Sequence, residues 1–330
     1  VPDDIYALAE QLATAAAKRD GVVLVRIARA YVAMYNRLIG QIEAMAIEVG
    51  NNQLTTGQLA RLTRFNSLMG QIEGELSDFT SYVKTELSVS AQATIAAALN
   101  DSRSLVTASL AGSGVNVAFN TLPTETVMKL LGFLQTTSPL YARLAQLAPT
   151  NAEALRQLFI DGVGLGWNPR KIAAAMRKQF GANLTDALRM TRTAQNYAYR
   201  EATRANYMAN PNVVTGWYWM AAIHNPNTCI GCIRMHGTFH TVNERLNDHH
   251  NGRCAMVPAV KGFASPIKQT GEEWFNALPE SEQIAYMGRD YHAAWKQGRF
   301  AFGDISREYD NDVYGPMRGV TTLHELLGEG

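Results

Sequence analysis

The chain has 330 residues, 47% of them apolar and 18% charged, with 30 basic groups against 29 acidic ones and a mean hydropathy of −0.14. Such a composition can bury a substantial interior, and it excludes a disordered or collagen-like chain. Apolar stretches such as Val22–Val25 and Ile95–Leu99 fall far short of the roughly 20 residues a bilayer crossing needs, so no membrane association is expected.

The length exceeds what one core usually holds and predicts more than one domain. The opening Val1-Pro2-Asp3-Asp4 lacks the basic start and apolar middle of a secretory signal, so synthesis in a reducing cytoplasm is expected. Ile27, Tyr31, Met34, Leu38, Ile42, Met45 and Val49 then recur at steps of three and four, which predicts one helix face ended by Gly50-Asn51-Asn52. Leu62, Phe65, Met69, Ile72, Leu76, Phe79, Val83 and Leu87 form a second, nearly heptad seam. Two long helices joined by a short turn predict an antiparallel hairpin whose stripes are bundle core. A further helix is expected over 88–111, interrupted by Gly112-Ser113-Gly114, then a short one over Thr124–Phe133 and another from Ser138-Pro139 to Pro149.

A linker is expected near Ala148-Pro149-Thr150, which makes 1–150 an N-terminal helical region. Residues 152–160 keep the helical period, and Gly162, Gly164 and Gly166 make a turn. Asn168-Pro169 caps and starts a helix closed by Gly181, and Thr185 caps the next, which runs to Asn210-Pro211. On that last helix Arg192, Asn196, Arg200 and Arg204 stand at successive i+4 positions, with Arg189 three residues before them. Residues 151–210 carry nine basic and four acidic groups, so the local excess sits on this stripe. It reads either as a solvated helix face or as a contact surface for DNA phosphates or an acidic protein partner.

The composition changes after Gly216. Trp217–Ile223, Phe239–Val242 and Cys254–Val257 read as short strands, and beyond Pro258 helices are expected over 272–277, after Pro279 and over 290–297. The fold class expected is mainly α: an N-terminal helical hairpin or bundle (1–150), a small α+β zinc-stapled module (151–260) and a helical tail (261–330).

All three cysteines lie in that central module, with five of the seven histidines in or beside the same window. Cys229-Ile230-Gly231-Cys232 is a knuckle of two thiols, with Gly231 available to take the backbone angles that aim both sulfurs at one ion. With His249 and Cys254 it spells C-x2-C-x16-H-x4-C. Soft sulfurs plus an imidazole favour four-coordinate zinc, and four protein ligands leave no position for a reacting water, so the zinc is expected to be structural. His250 can replace His249 on a bent loop. The alternative is three reduced cysteines packed in a small core. Arg253 is placed to offset thiolate charge or to reach carbonyls, while His224, His236 and His240 read as part-exposed polar residues.

These residues resemble the phage Mu F-like head morphogenesis family, the minor head proteins of tailed bacteriophages. Its pattern of an Arg-Thr pair, an aromatic strand, a C-x2-C and a closing His/Asn/Arg/Cys segment is matched in order by Arg192-Thr193, Gly216-Trp217, Cys229 and Cys232, Gly237, and His249 to Cys254. Downstream, Gly271 to Phe275, Gln283, Gly288, Trp295, Gly298 and Asp304 are similar to the tail of such proteins, so the likeness covers roughly 155–330. The chain departs from the pattern at Gly252, where many members have another cysteine, at His250 in place of proline, and at Ala194, where an acidic residue often follows. The resemblance implies a non-enzymatic virion component inside the phage head, synthesised in the host cytoplasm. Its implied partners are the portal or the major capsid protein, and packaged DNA. A rival reading is a metal-dependent nuclease of the His-Asn-His type, because Asp248-His249-His250-Asn251 looks like its catalytic strand. That chemistry needs further His or Asn ligands downstream, and the next histidine is His292.

Overall fold

The computed structural model describes residues 2–111, 113, 118–132, 135 and 137–328. Gly112 and Gly114 of the expected breaker, and Phe133 at the expected helix end, lie outside these residues. The described chain is mainly helical, with eleven α-helices and two small antiparallel sheets among the described residues. It divides into two compact units, one built from 1–19, 91–132 and 195–330, the other from 20–90 and 133–194. No helix of the described residues is long and apolar enough to cross a membrane.

The second unit draws on α1 (Pro2–Asn51), α2 (Thr56–Arg61), α3 (Thr63–Leu110), α5 (Pro139–Gly164) and α6 (Pro169–Met208). The expected stripe of α1 is buried throughout, from Ile27 to Val49, as is the α3 seam from Phe65 to Leu87. Their antiparallel pairing is written in charge, because Arg26 meets Glu86, Arg37 meets Glu75 and Arg64 meets Glu48, the partners moving in opposite directions along the two helices. These pairs are largely exposed and specify register more than they stabilise. Tyr31 packs edge-on against Phe79 and donates its hydroxyl to the Phe180 carbonyl at 2.8 Å.

Several helices run longer than the sequence suggests. The helix expected over 88–111 is the continuation of α3. Pro149 lies inside α5, so the linker expected at 148–150 is instead helical, and the boundary at 150 falls within one unit. Gly181 does not close a helix, and Thr185 does not cap one: both lie within α6, where the Thr185 hydroxyl bonds back to the Gly181 carbonyl. An interior glycine costs about 1 kcal/mol of helix propensity. Burial of Ile172, Met176 and Phe180 before it, and of Ala187, Thr191 and Ala194 after it, offsets that cost.

The first unit holds α4 (Thr124–Leu131) and a three-stranded sheet in the order β2-β1-β3, from β1 (Val214–Met220), β2 (Phe239–Thr241) and β3 (Ala255–Val260). Trp217 and Trp219 of the central strand are buried at 0% and 1% exposure, in one core with Tyr207, Cys232, Cys254 and Phe275. Between β1 and β2 lies α7 (Ile230–Met235). The tail is not purely helical. After α8 (Gly271–Ala277), α9 (Glu280–Met287) and α10 (Arg289–Lys296), a 3-10 turn (Phe302–Ile305) leads into a hairpin of β4 (Ser306–Asn311) and β5 (Gly315–Val320), followed by α11 (Leu323–Leu326). β4 is polar and only partly buried, and β5 is broken by Gly315, Pro316 and Gly319, so neither carries the alternation that marks a strand, and Asn311 fixes the turn by accepting from the amides of Val313 and Tyr314.

Gly216 sits at the centre of the sheet, paired with Thr241 and Ala259. A Cβ there would overlap the His240 carbonyl and the Phe239 ring. Gly216→Ala is therefore expected to destabilise the protein by about 3 kcal/mol, the upper end of overpacking costs. Chemical denaturation measures it, and an unchanged midpoint would contradict the β1–β2 register.

Candidate metal centre

Two short segments build the site. Cys229 is the N-cap of α7, with extended backbone angles, and its Sγ accepts the Cys232 amide at 3.3 Å. Residues 242–254 connect β2 to β3 and carry Asp248, His249 and Cys254, the last immediately before β3. The connection turns where Asn251 takes φ 62° and the Gly252 amide donates to the His249 carbonyl at 2.9 Å. The left-handed residue is thus Asn251. Gly231, expected to supply special angles between the cysteines, is ordinary helix in α7.

Two triads of donor atoms result, Cys229/Cys232/His249 and Cys232/Asp248/Cys254, each with its atoms within 4.8 Å of one another. All four expected ligands are present, but they do not form one mutually close set: Cys232 is the shared corner. His249 enters through Nε2, 3.2 Å from Cys229 Sγ, while its Nδ1 bonds the His250 carbonyl at 2.7 Å. The His250 ring instead meets Tyr314 edge-on and Asn311 Nδ2 at 3.4 Å. Between the two candidate histidines, the structure brings His249 to the cysteines.

Asp248 is the residue that sequence reasoning missed as part of this centre. Its carboxylate is buried and receives four donors: Oδ1 takes the His249 amide at 2.8 Å and the Cys232 thiol at 3.2 Å, and Oδ2 takes Arg200 Nη2 at 2.8 Å and the Cys254 amide at 3.2 Å. Those four donors fill its acceptor capacity. Gly252 follows from the same packing, since a Cβ at that position would overlap the carboxylate. A side chain such as the cysteine of the resembling pattern has no room there.

The basic stripe of α6 changes character in consequence. Arg200 is 8% exposed, pairs with Asp248, and donates to the carbonyls of Cys254 at 3.0 Å and Gly252 at 2.9 Å. Asn196 donates to the same Gly252 carbonyl at 2.7 Å, and Arg204 pairs with the buried Glu201, which also holds Arg245. The stretch of helix from 196 to 204 is thus an inward anchor for the loop. Arg200, expected on a DNA-facing or portal-facing surface, is enclosed, and it does the work expected of Arg253, which is exposed. Arg189 remains exposed beside Asp186, and Arg192 is half-buried. His236 is buried rather than part-exposed and accepts the Ala221 amide at 3.1 Å, while His240 stacks on Trp217.

Opposite charges develop within the first triad. Hydrogen bonding from Cys232, then His249, draws the Cys229 thiol down to about 5, and the bond to Cys229 lifts His249 to about 9 against the effect of burial. At neutral pH without metal they form a thiolate and imidazolium pair. Neighbouring thiols and burial push Cys232 up, and burial pushes Cys254 up. Burial is the largest single influence and would raise Asp248, but the Arg200 guanidinium, the His249 charge and the hydrogen bonds from Cys232 and the Cys254 amide together hold the carboxyl below its ordinary value.

Comparison of the chain with protein-family models, with curated proteins and with solved structures returns no match. Arg200→Ala is expected to cost about 3–5 kcal/mol, the penalty of leaving a buried charge unpaired, whereas Arg189→Ala should stay within about 0.5 kcal/mol. Urea denaturation of the two variants measures the contrast; equal effects would contradict the enclosed Arg200–Asp248 pair.

Proposed function

We propose that the chain is a non-enzymatic minor head protein of a tailed bacteriophage, acting in head morphogenesis inside the capsid, with a structural zinc held by Cys229, Cys232, His249 and Cys254. The observation that carries the metal part is the donor set: three sulfurs and an imidazole, from two stretches of chain, gathered around the shared Cys232. Soft donors of this kind suit zinc. Cys254 is the better fourth donor, because a thiolate suits zinc and Asp248 is already committed to Arg200 and to the amides of His249 and Cys254, which makes that carboxylate the support that orients the donor loop. When bound, the ion replaces the protons of the thiols and imidazole and ties α7 to the loop before β3.

A structural role is favoured over hydrolysis for the same reason. A buried carboxylate paired with Arg200 and held by two loop amides is stabilised in its ionised form and is a poor general base, and His250 is engaged with Asn311 and Tyr314. The head-assembly part rests on the motif resemblance across 155–330. Portal or major capsid protein are the partners it implies, with packaged DNA nearby. Of the expected contact residues Arg189 is the exposed one, beside Asp186, since Arg200 and Arg204 serve the interior.

Purified protein is expected to hold one zinc per chain by elemental analysis, and Cys232→Ser, which removes the corner common to both triads, should abolish it. At neutral pH His249, Cys232 and Cys254 are protonated, and each must lose its proton to bind metal, so affinity rises with pH. Between pH 6 and 8 the apparent dissociation constant should weaken by about tenfold per unit of acidification for each proton displaced. Competition with a zinc chelator across that range measures it, and a flat profile would contradict the donor assignment. Peptide mapping of purified particles tests the head assignment, which fails if the chain is absent from them. Magnesium-dependent plasmid nicking lost in His250→Ala would favour the nuclease instead.

A further inference from the structure

Cys229 and Cys232 stand three residues apart on the first turn of α7, where side chains are neighbours, and their sulfurs lie within 4.8 Å of each other. They are unequal. Cys229 is half-buried, while Cys232 is enclosed with Asp248 Oδ1 against its thiol. Cys254 is also within reach of Cys232, but it is buried, and its backbone is pinned on both sides, the amide to Asp248 and the carbonyl to Arg200. One cysteine that is partly open to solvent, backed by one that is enclosed, is the arrangement of an attacking and a resolving thiol.

We propose that Cys229 and Cys232 form a thiol–disulfide exchange site that reacts with small disulfides of the glutathione type, and that closing the Cys229–Cys232 bond releases the metal. The release rests on the zinc reading given above; the exchange chemistry does not. In the first step the Cys229 sulfur attacks one sulfur of the small disulfide. A Cys229–S bond forms, the small disulfide breaks, and its other half leaves as a thiol carrying the proton that lies between Cys229 Sγ and His249 Nε2. Cys232 then attacks the Cys229 sulfur, the mixed disulfide breaks, and the second small thiol leaves with the Cys232 proton. Two protein thiols are oxidised and one small disulfide is reduced to two thiols. The protein disulfide removes two of the four zinc donors at once, so metal and disulfide are exclusive occupants of the same sulfurs.

The full chain, zinc-loaded in one sample and stripped with chelator in another, is equilibrated with defined ratios of reduced and oxidised glutathione. Peptide mass spectrometry locates the bonds and a chromogenic chelator counts released zinc. The expected result is a Cys229–Cys232 disulfide in the stripped protein, and the same bond in the loaded protein with one zinc released for each bond formed. Cys254→Ser should still form it, and Cys232→Ser should stop with glutathione retained on Cys229. Three free thiols in the stripped protein, with its circular dichroism intact at every ratio, would overturn the proposal, as would a bond to Cys254 in place of Cys229. A chain that takes up no zinc yet forms the Cys229–Cys232 bond upholds the exchange and defeats the metal reading; a chain that binds zinc but stays reduced when stripped does the reverse.

Discussion

A buried carboxylate has to be paired, and the pairing of Asp248 with Arg200 organises everything around the cysteines. The Arg200 guanidinium reaches from α6 to the carboxylate and to two carbonyls of the donor loop, while the carboxylate collects two amides of that loop and the thiol of Cys232. One ion pair therefore fixes a helix, a loop and the first turn of α7 in a single arrangement. The glycine at 252 and the left-handed Asn251 are consequences of it, since one clears space for the carboxylate and the other turns the chain back toward it.

The same pair accounts for the order of the donors. Cys232 lies at the corner of both triads because Asp248 holds its thiol, and Cys254 is delivered beside it because its amide ends on the same carboxylate. His249 follows in sequence and swings its imidazole to Cys229, the outermost sulfur. A site built this way has its loop oriented before any ion arrives, which limits the ordering cost of binding. It also leaves the two sulfurs of α7 close enough to bond each other.

Features governed by local period were legible in the sequence. The stripes from Ile27 to Val49 and from Phe65 to Leu87 are cores of long helices, and the three strand positions around the tryptophans lie within a few residues of β1, β2 and β3. The cysteines and His249 were legible because thiol and imidazole spacing has few other meanings. Gly181 and Pro149 misled because their local cost is small beside the burial of the helices that run through them. The β4–β5 hairpin was hidden because β4 is polar and β5 is interrupted by glycine and proline. Arg200 and Asp248 could not be read as a pair, since 48 residues separate them and a charge at i+4 spacing looks the same in sequence whether it faces solvent or an enclosed carboxylate.

Zinc K-edge X-ray absorption on the loaded protein counts sulfur and nitrogen neighbours separately. Three sulfurs at about 2.3 Å and one imidazole nitrogen at about 2.0 Å are expected. A shell of oxygen and nitrogen with no sulfur, or no bound zinc in freshly purified reduced protein, would contradict the zinc assignment.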